Sequence, residues 1–371
     1  MDSCEYEILF ELLRKALCPP DSLLPFSKKM SDKEWDCLHE DALKQSLAGI
    51  LYDAVRNLPQ NLRPSIDFVF QWASEAETIK GQNIRLNSEA SRLTQLFAER
   101  GYKAVVLKGP ANARLYPNPY ARQVGDIDLW VDCGRANVLD LLESMGFKTE
   151  GYDLFIDHHV HFFDNEIFVE VHYRVSSGNY NYFKNAHMQR YLESEVLRSE
   201  VVPEGFCVPS IKFALVMQLS HIQRHFLECG IGFKQIIDYY ILLQQSTELE
   251  RHEVAANLKK FGMYHCAGAL MWVLHFILGL EKSKMLCTPD TKRGKRMLAE
   301  IVKGGNFGNS YAVVENNFMQ AWMNKKKRVL RLFSFDPLEM IWHEICYWKS
   351  FIKSISLRIR LRRFSIWEVY R

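Results

Sequence analysis

The sequence predicts an α+β fold, in which a small mixed β-sheet core lies between N-terminal helices and a larger C-terminal helical domain. Apolar residues recur at helical spacing through the first hundred residues, short alternating segments follow, and the helical period returns from about residue 210. A chain of 371 residues is also too long for one small core. We therefore expect an N-terminal helical region (1–100), an α/β core (101–200) and a C-terminal helical domain (201–371).

The first hundred residues are predicted to form helices. The segment "EYEILFELLRKAL" carries leucines and isoleucine at helical spacing, and Ser31 opens a second helical segment as an N-cap followed by acidic residues. Residues 67–101 predict one long helix with a break near Gly81 and an end at Gly101.

The α/β core is predicted from shorter segments. "KAVVLKG" and "DIDLWVD" are typical of strands, and "ANVLDLLESMGF" is typical of a helix that ends near Gly146. "DLFIDHHVHFFDN" and "EIFVEVHYRV" predict two more strands, joined by a turn at Asp164–Asn165. Alternation along the last strand places Glu170 and His172 on the same face.

Composition favours a globular, cytoplasmic protein. The net charge of +3 is too small to indicate a nucleic-acid binder. Nine cysteines without a CxxC pair are typical of reduced thiols. The N-terminus lacks the basic region of a signal peptide, and no apolar run approaches the ~18 residues that a membrane-spanning helix needs.

Two aspartates stand either side of one isoleucine in "ARQVGDIDLWVD". Side chains at positions i and i+2 of a strand point to the same face, so Asp126 and Asp128 lie side by side while Ile127 and Leu129 face the core. Two neighbouring carboxylates repel each other unless a cation or a shared proton lies between them. The stretch therefore predicts a metal site.

The surrounding residues suit phosphoryl chemistry. Gly109 follows a strand, where backbone N–H groups can approach a phosphate, and Lys108 offers a positive charge for the same anion. Arg122 can make a two-pronged contact with a phosphate. Mg²⁺ prefers carboxylates while keeping water and phosphate ligands, and Glu170 on a neighbouring strand supplies a third carboxylate.

Three segments carry a resemblance to known proteins: "VVLKGPANARLYPNPYARQVGDIDLWV", "FVEVHYRV" and "QLSHIQRHFLECGIGFKQIIDYYILL". Over roughly residues 80–250 the chain resembles a bacterial family of largely uncharacterised nucleotidyltransferases, within the DNA polymerase beta-like nucleotidyltransferase superfamily. The resemblance implies a nucleotidyltransferase-like core with Mg²⁺, or alternatively Mn²⁺, as cofactor. It also implies an NTP such as ATP as substrate and transfer of NMP to a hydroxyl with loss of pyrophosphate.

The resemblance also assigns residues to roles. Asp126 and Asp128 match the metal pair, and Glu170 matches the third carboxylate, which completes the metal site or activates the acceptor. These three residues are the expected catalytic and metal-binding set. Lys108 and Gly109 match the turn that contacts the nucleotide phosphates.

Three further residues are expected near the nucleotide. His172 shares a face with the third carboxylate and either positions a phosphate or acceptor or serves as a hydrogen-bonded structural histidine. Arg122 contacts the nucleotide or pairs with one of the two aspartates when metal is absent. Asp238 lies in a helical segment that packs against the nucleotide cleft in the resembling families, although an ion pair with Lys234 is its simplest interpretation.

One position departs from the superfamily pattern. Pro110 stands where a serine or glycine usually follows Gly109, so one phosphate-binding N–H is missing. This departure favours an alternative, a catalytically inactive nucleotide-sensing or protein-interaction module on the same scaffold. A third reading is a toxin-like enzyme that modifies tRNA or a protein. The sequence does not fix the acceptor, which could be a small molecule, an RNA or a protein.

Other motifs have simpler interpretations. His221 and His225 have zinc-ligand spacing, but no cysteine or HExxH glutamate joins them in sequence, so structural roles are favoured. "HHVHFF", which contains His159 and His161, raises the same question, and a polar strand edge is the plainer interpretation. The basic tail "KSFIKSISLRIRLRRFSIWEVYR" could contact acidic membranes or nucleic acid, but a packed terminal helix with snorkelling arginines is favoured.

Overall fold

The structure is a computed structural model that describes residues 3–18, 26–149, 158–304 and 318–361. It confirms the α+β class and the mixed sheet. The α-helices in the described residues are α1 (Ser3–Leu17), α2 (Asp32–Lys44), α3 (Ala48–Val55), α4 (Ile66–Ala98), α5 (Pro110–Ala113), α6 (Gly134–Ser144), α7 (Tyr182–Val196), α8 (Ile211–Glu228), α9 (Phe233–Gln245), α10 (Glu248–Phe261), α11 (Tyr264–Leu278), α12 (Thr291–Gly304), α13 (Phe318–Leu332) and α14 (Pro337–Leu361).

Four strands form the main sheet, in the order β1-β2-β4-β3. The strands are β1 (Ala104–Val106), β2 (Asp126–Val131), β3 (His159–Asp164) and β4 (Ile167–His172). β2 and β4 run parallel, whereas β1–β2 and β3–β4 are antiparallel. A second sheet, which the sequence did not predict, pairs β5 (Glu200–Val201) with β6 (Cys207–Val208). Two-residue strands are too short to show a period of two.

Two local expectations differ from the structure. The β3–β4 turn is centred on Asn165 and Glu166, which have φ of 47° and 64°, one residue later than predicted. The long helix α4 runs through Gly81 without a break, because a single glycine weakens a helix without ending it when its neighbours are packed. The predicted β3 segment begins at 153, and its residues before 158 lie outside the described residues.

The apolar side chains gather in two clusters. The smaller one lies on one face of the sheet and contains Ile127, Leu129 and Val169, packed with side chains from α4 and α6. The larger one joins helices from both ends of the chain, for example Leu12 and Leu274. The three-part division of the chain at residues 100 and 200 remains a prediction.

None of the helices in the described part of the chain is long and apolar enough to cross a membrane. The basic tail begins inside α14, and residues 362–371 lie outside the described residues. The interpretation of that tail and the cellular location therefore remain predictions.

Candidate active site

The parallel pairing of β2 with β4 brings the predicted acidic residues together. Asp128 is registered beside Glu170, and Trp130 is registered beside His172. Because side chains alternate along both strands, their apolar partners face the core, and Ile127 and Val169 are fully buried there. The face opposite this core therefore carries the two aspartates, Glu170 and His172, as the alternation predicts.

Asp128 is the centre of this group. Its side chain is 0% exposed, and Lys108 Nζ lies 2.9 Å from its Oδ1 atom. His172 Nε2 lies 3.1 Å from the same oxygen. The other oxygen, Oδ2, is buried and has no hydrogen-bond partner among the described residues. Burial raises the pKa of Asp128, but Lys108 and His172 outweigh that effect and hold the pKa well below its ordinary value.

Glu170 and His172 complete a compact donor set. His172 Nε2 lies 3.4 Å from Glu170 Oε2. One donor atom from each of Asp128, Glu170 and His172 falls within 4.8 Å of the other two. Burial lowers the pKa of His172, but its hydrogen bonds to the two carboxylates raise the pKa above the ordinary value. The imidazole therefore holds both carboxylates in place.

Asp126 lies at the start of β2 and belongs to neither group of three close donors found among the described residues. Its pKa is raised to about 6, chiefly by repulsion from Asp128 and also by burial. Lys108 opposes that shift. A cation next to both carboxylates would relieve this repulsion. The site thus carries more negative charge than the nearby lysine neutralises.

The predicted phosphate-binding turn wraps around the end of β1. The N–H of Leu107 donates to the Asp128 carbonyl at 2.9 Å, which extends the strand pairing by one residue. Gly109 has φ of 61°, and a Cβ there would lie 3.0 Å from the Asp126 carbonyl oxygen. Pro110 follows as the first residue of the short helix α5, where its missing N–H breaks no intrahelical hydrogen bond.

Lys108 combines two properties in this turn. Burial lowers its pKa, but Asp128, Asp126 and Glu170 outweigh that effect and raise the pKa above its ordinary value. The ammonium is therefore charged near neutral pH and about one quarter of its side chain is exposed (23%). It neutralises part of the carboxylate charge.

Arg122 and Asp238, both expected near the nucleotide, form an ion pair with each other. Arg122 Nε donates to Asp238 Oδ1 at 2.6 Å, and Nη2 donates to Oδ2 at 2.7 Å. Tyr116 also donates to Oδ1 at 2.6 Å. Arg122 therefore pairs with Asp238 and not with Asp126 or Asp128, so that interpretation of the sequence was wrong. The expected ion pair of Asp238 with Lys234 was also wrong, because Asp238 pairs with Arg122. This buried pair ties the loop before β2 to α9, and its expected contact with nucleotide remains a prediction.

Three contacts or environments in the structure differ from what the sequence predicts. Tyr116 joins the buried pair across 122 positions of the chain, a separation that local spacing cannot reveal. Lys234 lies near the acidic face, and burial, with repulsion from Arg122, lowers its pKa to about 8. Cys229 Sγ lies 3.3 Å from His225 Nδ1, so a cysteine does accompany the histidine pair of α8.

The donor chemistry fits the magnesium ion that the sequence predicts. Asp126, Asp128 and Glu170 offer carboxylate oxygens on one face, which is the ligand type that Mg²⁺ prefers. The unpartnered Oδ2 of Asp128 and the raised pKa of Asp126 both indicate negative charge that a cation would stabilise.

Among the comparisons with known proteins, a family model gives the informative match. The model of a family described as uncharacterised nucleotidyltransferase matches residues 31–279, which is more than half of the chain. No curated protein matches the sequence. Among solved structures, an antigenic nucleotidyltransferase-like protein from Paracoccidioides brasiliensis is 17% identical, with a TM-score of 0.30, over 54% of this chain and 94% of its own. A likeness of that extent carries no argument about function.

Proposed function

The chain belongs to the uncharacterised nucleotidyltransferase family, and on that premise we propose that it transfers a nucleoside monophosphate from an NTP to an acceptor hydroxyl. The observation that supports this most is the registration of Asp128 beside Glu170 across parallel strands, with Lys108 Nζ 2.9 Å from Asp128. Carboxylates and a lysine at the end of a strand suit the positioning and charge neutralisation that phosphoryl transfer needs.

In this proposal Asp126, Asp128 and Glu170 hold Mg²⁺, with Mn²⁺ as an alternative. When bound, the ion neutralises charge on the triphosphate and on the developing pyrophosphate. The site itself supplies the arrangement of ligands: His172 holds Asp128 and Glu170 within hydrogen-bond reach of one imidazole nitrogen. The acceptor remains open between a small molecule, an RNA and a protein.

Lys108 and Gly109 contact the nucleotide phosphates in this proposal. Lys108 is charged and partly exposed, so it can exchange its contact with Asp128 for a phosphate once a metal ion is bound. Gly109 lets the backbone approach closely at a positive φ. Since Pro110 gives no N–H, Lys108 takes a larger share of phosphate binding than the turn does.

The test is transfer of label from each of the four NTPs, labelled at the α-phosphate, to acceptors in a cell extract separated into small molecules, RNA and protein. We expect one fraction to gain label with Mg²⁺ and wild-type protein. Asp126→Asn should remove that labelling, and Asp132→Asn, an exposed aspartate just after β2, should keep it. No labelled fraction, or equal labelling by Asp126→Asn, would contradict the proposal.

A second candidate is the catalytically inactive nucleotide-sensing or protein-interaction module. The ion pair of Lys108 with buried Asp128 favours it, because a lysine can neutralise that carboxylate without metal. As a nucleotide sensor the protein would bind NTP equally strongly with Mg²⁺ and with EDTA, and as a protein-interaction module it would bind no NTP. Neither alternative predicts transfer of label. Binding that requires Mg²⁺ would exclude both.

A further inference from the structure

Three histidines meet beside the carboxylates. His158 immediately precedes β3, His159 is the first residue of β3, and His172 ends β4. One donor nitrogen from each of the three falls within 4.8 Å of the other two. His159 Nδ1 lies 3.0 Å from His158 Nε2. This group shares only His172 with the carboxylate set.

Backbone geometry explains how two consecutive residues contribute to one group. His159 is registered opposite His172 in the antiparallel β3–β4 pair. His158 precedes the strand, and its carbonyl accepts the N–H groups of Tyr173 and Arg174 at 3.0 and 3.2 Å. The alternation of side chains along β3 therefore does not decide which way the His158 side chain points. Its ring packs edge to face against the His159 ring, with an interplanar angle of 87°.

The donor set differs in kind from the one proposed for magnesium. Imidazole nitrogen suits zinc and similar transition-metal ions, whereas Mg²⁺ prefers oxygen. With Zn–N bonds of about 2.0–2.1 Å, two ligands of a tetrahedral ion lie about 3.3 Å apart, close to the His158–His159 separation. Three histidines with one open position also match a known type of zinc site.

The two ring nitrogens of His172 have different surroundings. Its Nε2 contacts Asp128 and Glu170, while its Nδ1 is buried without a hydrogen-bond partner among the described residues. Glu170 Oε2, which lies 3.9 Å from His159 Nδ1, offers an oxygen next to the group. We propose that His158, His159 and His172 form a second metal site, specific for Zn²⁺ or a similar transition-metal ion and adjacent to the carboxylates. This site goes beyond the proposed transfer reaction and does not depend on it.

The test uses tag-free, full-length protein stripped with a chelator. Zn²⁺ is titrated by calorimetry in excess Mg²⁺, and Co²⁺ is titrated while its visible absorption is recorded. We expect one equivalent of Zn²⁺ to bind and Co²⁺ to give the spectrum of a tetrahedral nitrogen-ligated ion. His158→Ala and His159→Ala should each weaken binding by at least about tenfold, since even residues that only support metal ligands commonly have effects of that size.

Two control variants test whether Zn²⁺ binding depends on the three histidines and not on neighbouring residues. His161→Ala changes the next histidine on the same face of β3, and Asp126→Asn changes a carboxylate outside the histidine group. Both should bind Zn²⁺ as wild type does. The proposal would be overturned if wild type bound no stoichiometric Zn²⁺, or if His158→Ala and His159→Ala bound Zn²⁺ as tightly as wild type. The histidines would then only hydrogen-bond to each other.

Thermal unfolding in chelator shows whether the histidine variants fold. If either does not, X-ray absorption of zinc-loaded wild type decides the question. Scattering from two or three imidazole rings would support the site, and a shell made only of oxygen ligands would overturn it.

Discussion

Lys108 Nζ lies 2.9 Å from Asp128 Oδ1, and the aspartate side chain is completely buried. The two residues belong to different elements, since Lys108 follows β1 and Asp128 is central in β2. The lysine thus occupies one oxygen of the carboxylate that is proposed to hold metal. The other oxygen, Oδ2, has no hydrogen-bond partner among the described residues and remains available to a metal ion. Lys108 must leave Asp128 when it binds a phosphate.

The first prediction concerns Lys108→Met, which removes the ammonium from buried Asp128 and leaves His172 as its remaining partner. Breaking a buried pair in this way is expected to lower the free energy of unfolding by about 3–5 kcal/mol. Mg²⁺ should restore more stability to the variant than to wild type, because it replaces the lost charge. Urea unfolding with and without Mg²⁺ measures both effects. Lys148→Met, an exposed lysine, is the control, and an unchanged urea midpoint for Lys108→Met would refute the prediction.

The second prediction concerns the Arg122–Asp238 pair, which has two hydrogen bonds and is buried on both sides. Asp238→Asn leaves a buried guanidinium without its carboxylate and should lower the free energy of unfolding by about 3–5 kcal/mol. The double variant Arg122→Met/Asp238→Leu should lose much less than the sum of its two single variants. A double-mutant cycle by urea unfolding measures this coupling. Additive losses would show that the pair does not hold the loop to α9.

The third prediction compares two glycines. Gly109→Ala requires an alanine at φ of 61° with its Cβ 3.0 Å from the Asp126 carbonyl oxygen, and should lower stability by about 1–3 kcal/mol. Gly81→Ala, in the middle of α4 with no atom within 4 Å of the added Cβ, should raise stability by about 0.5–1 kcal/mol. Thermal and urea unfolding give both values. Equal changes at the two positions would contradict the strain assigned to Gly109.

The fourth prediction concerns pH and Glu339, which is 3% exposed. Burial, with repulsion from Asp336, raises its pKa to about 7 from the ordinary 4.5, against the backbone N–H groups of Tyr180 and Asn181 that bond to it. Folding therefore takes up a proton between these values. The stability that this uptake gives is complete below pH 4.5 and is lost as pH rises through 7, by about 3 kcal/mol in all.

Glu339→Gln removes the titrating group, so its stability should fall less between pH 5 and pH 8 than that of wild type. Urea unfolding at the two pH values gives the difference. Glu193→Gln changes an exposed glutamate of α7 and should follow wild type. If Glu339→Gln also followed wild type, the raised pKa would be wrong.

The sequence predicted the fold class and the acidic face because both depend on local periodicity. A strand has a period of two, so the spacing of Asp126 and Asp128, and of Glu170 and His172, already decides which side chains share a face. The parallel pairing of β2 with β4 then registers Asp128 beside Glu170. The periodicity decides the face of each strand, whereas the pairing of β2 with β4 comes from the structure.

What the sequence could not predict depends on contacts between distant residues. Arg122 and Asp238 are 116 positions apart, and no spacing rule pairs them. Lys108 was expected to contact phosphate, and its ion pair with Asp128 appears only when β1 and β2 are placed side by side. His158 turns towards His159 because it precedes the strand, where alternation does not apply.

The most direct test of the central claim is calorimetric titration of the four NTPs, with Mg²⁺ and with EDTA, into wild type, Asp126→Asn and Asp132→Asn. Asp126→Asn relieves repulsion with Asp128, so its fold should be preserved while a metal ligand is lost. We expect at least one NTP to bind wild type and Asp132→Asn only with Mg²⁺, and Asp126→Asn to bind it at least about tenfold more weakly. No metal-dependent binding, or undiminished binding by Asp126→Asn, would contradict the assignment of this face as a nucleotide–metal site.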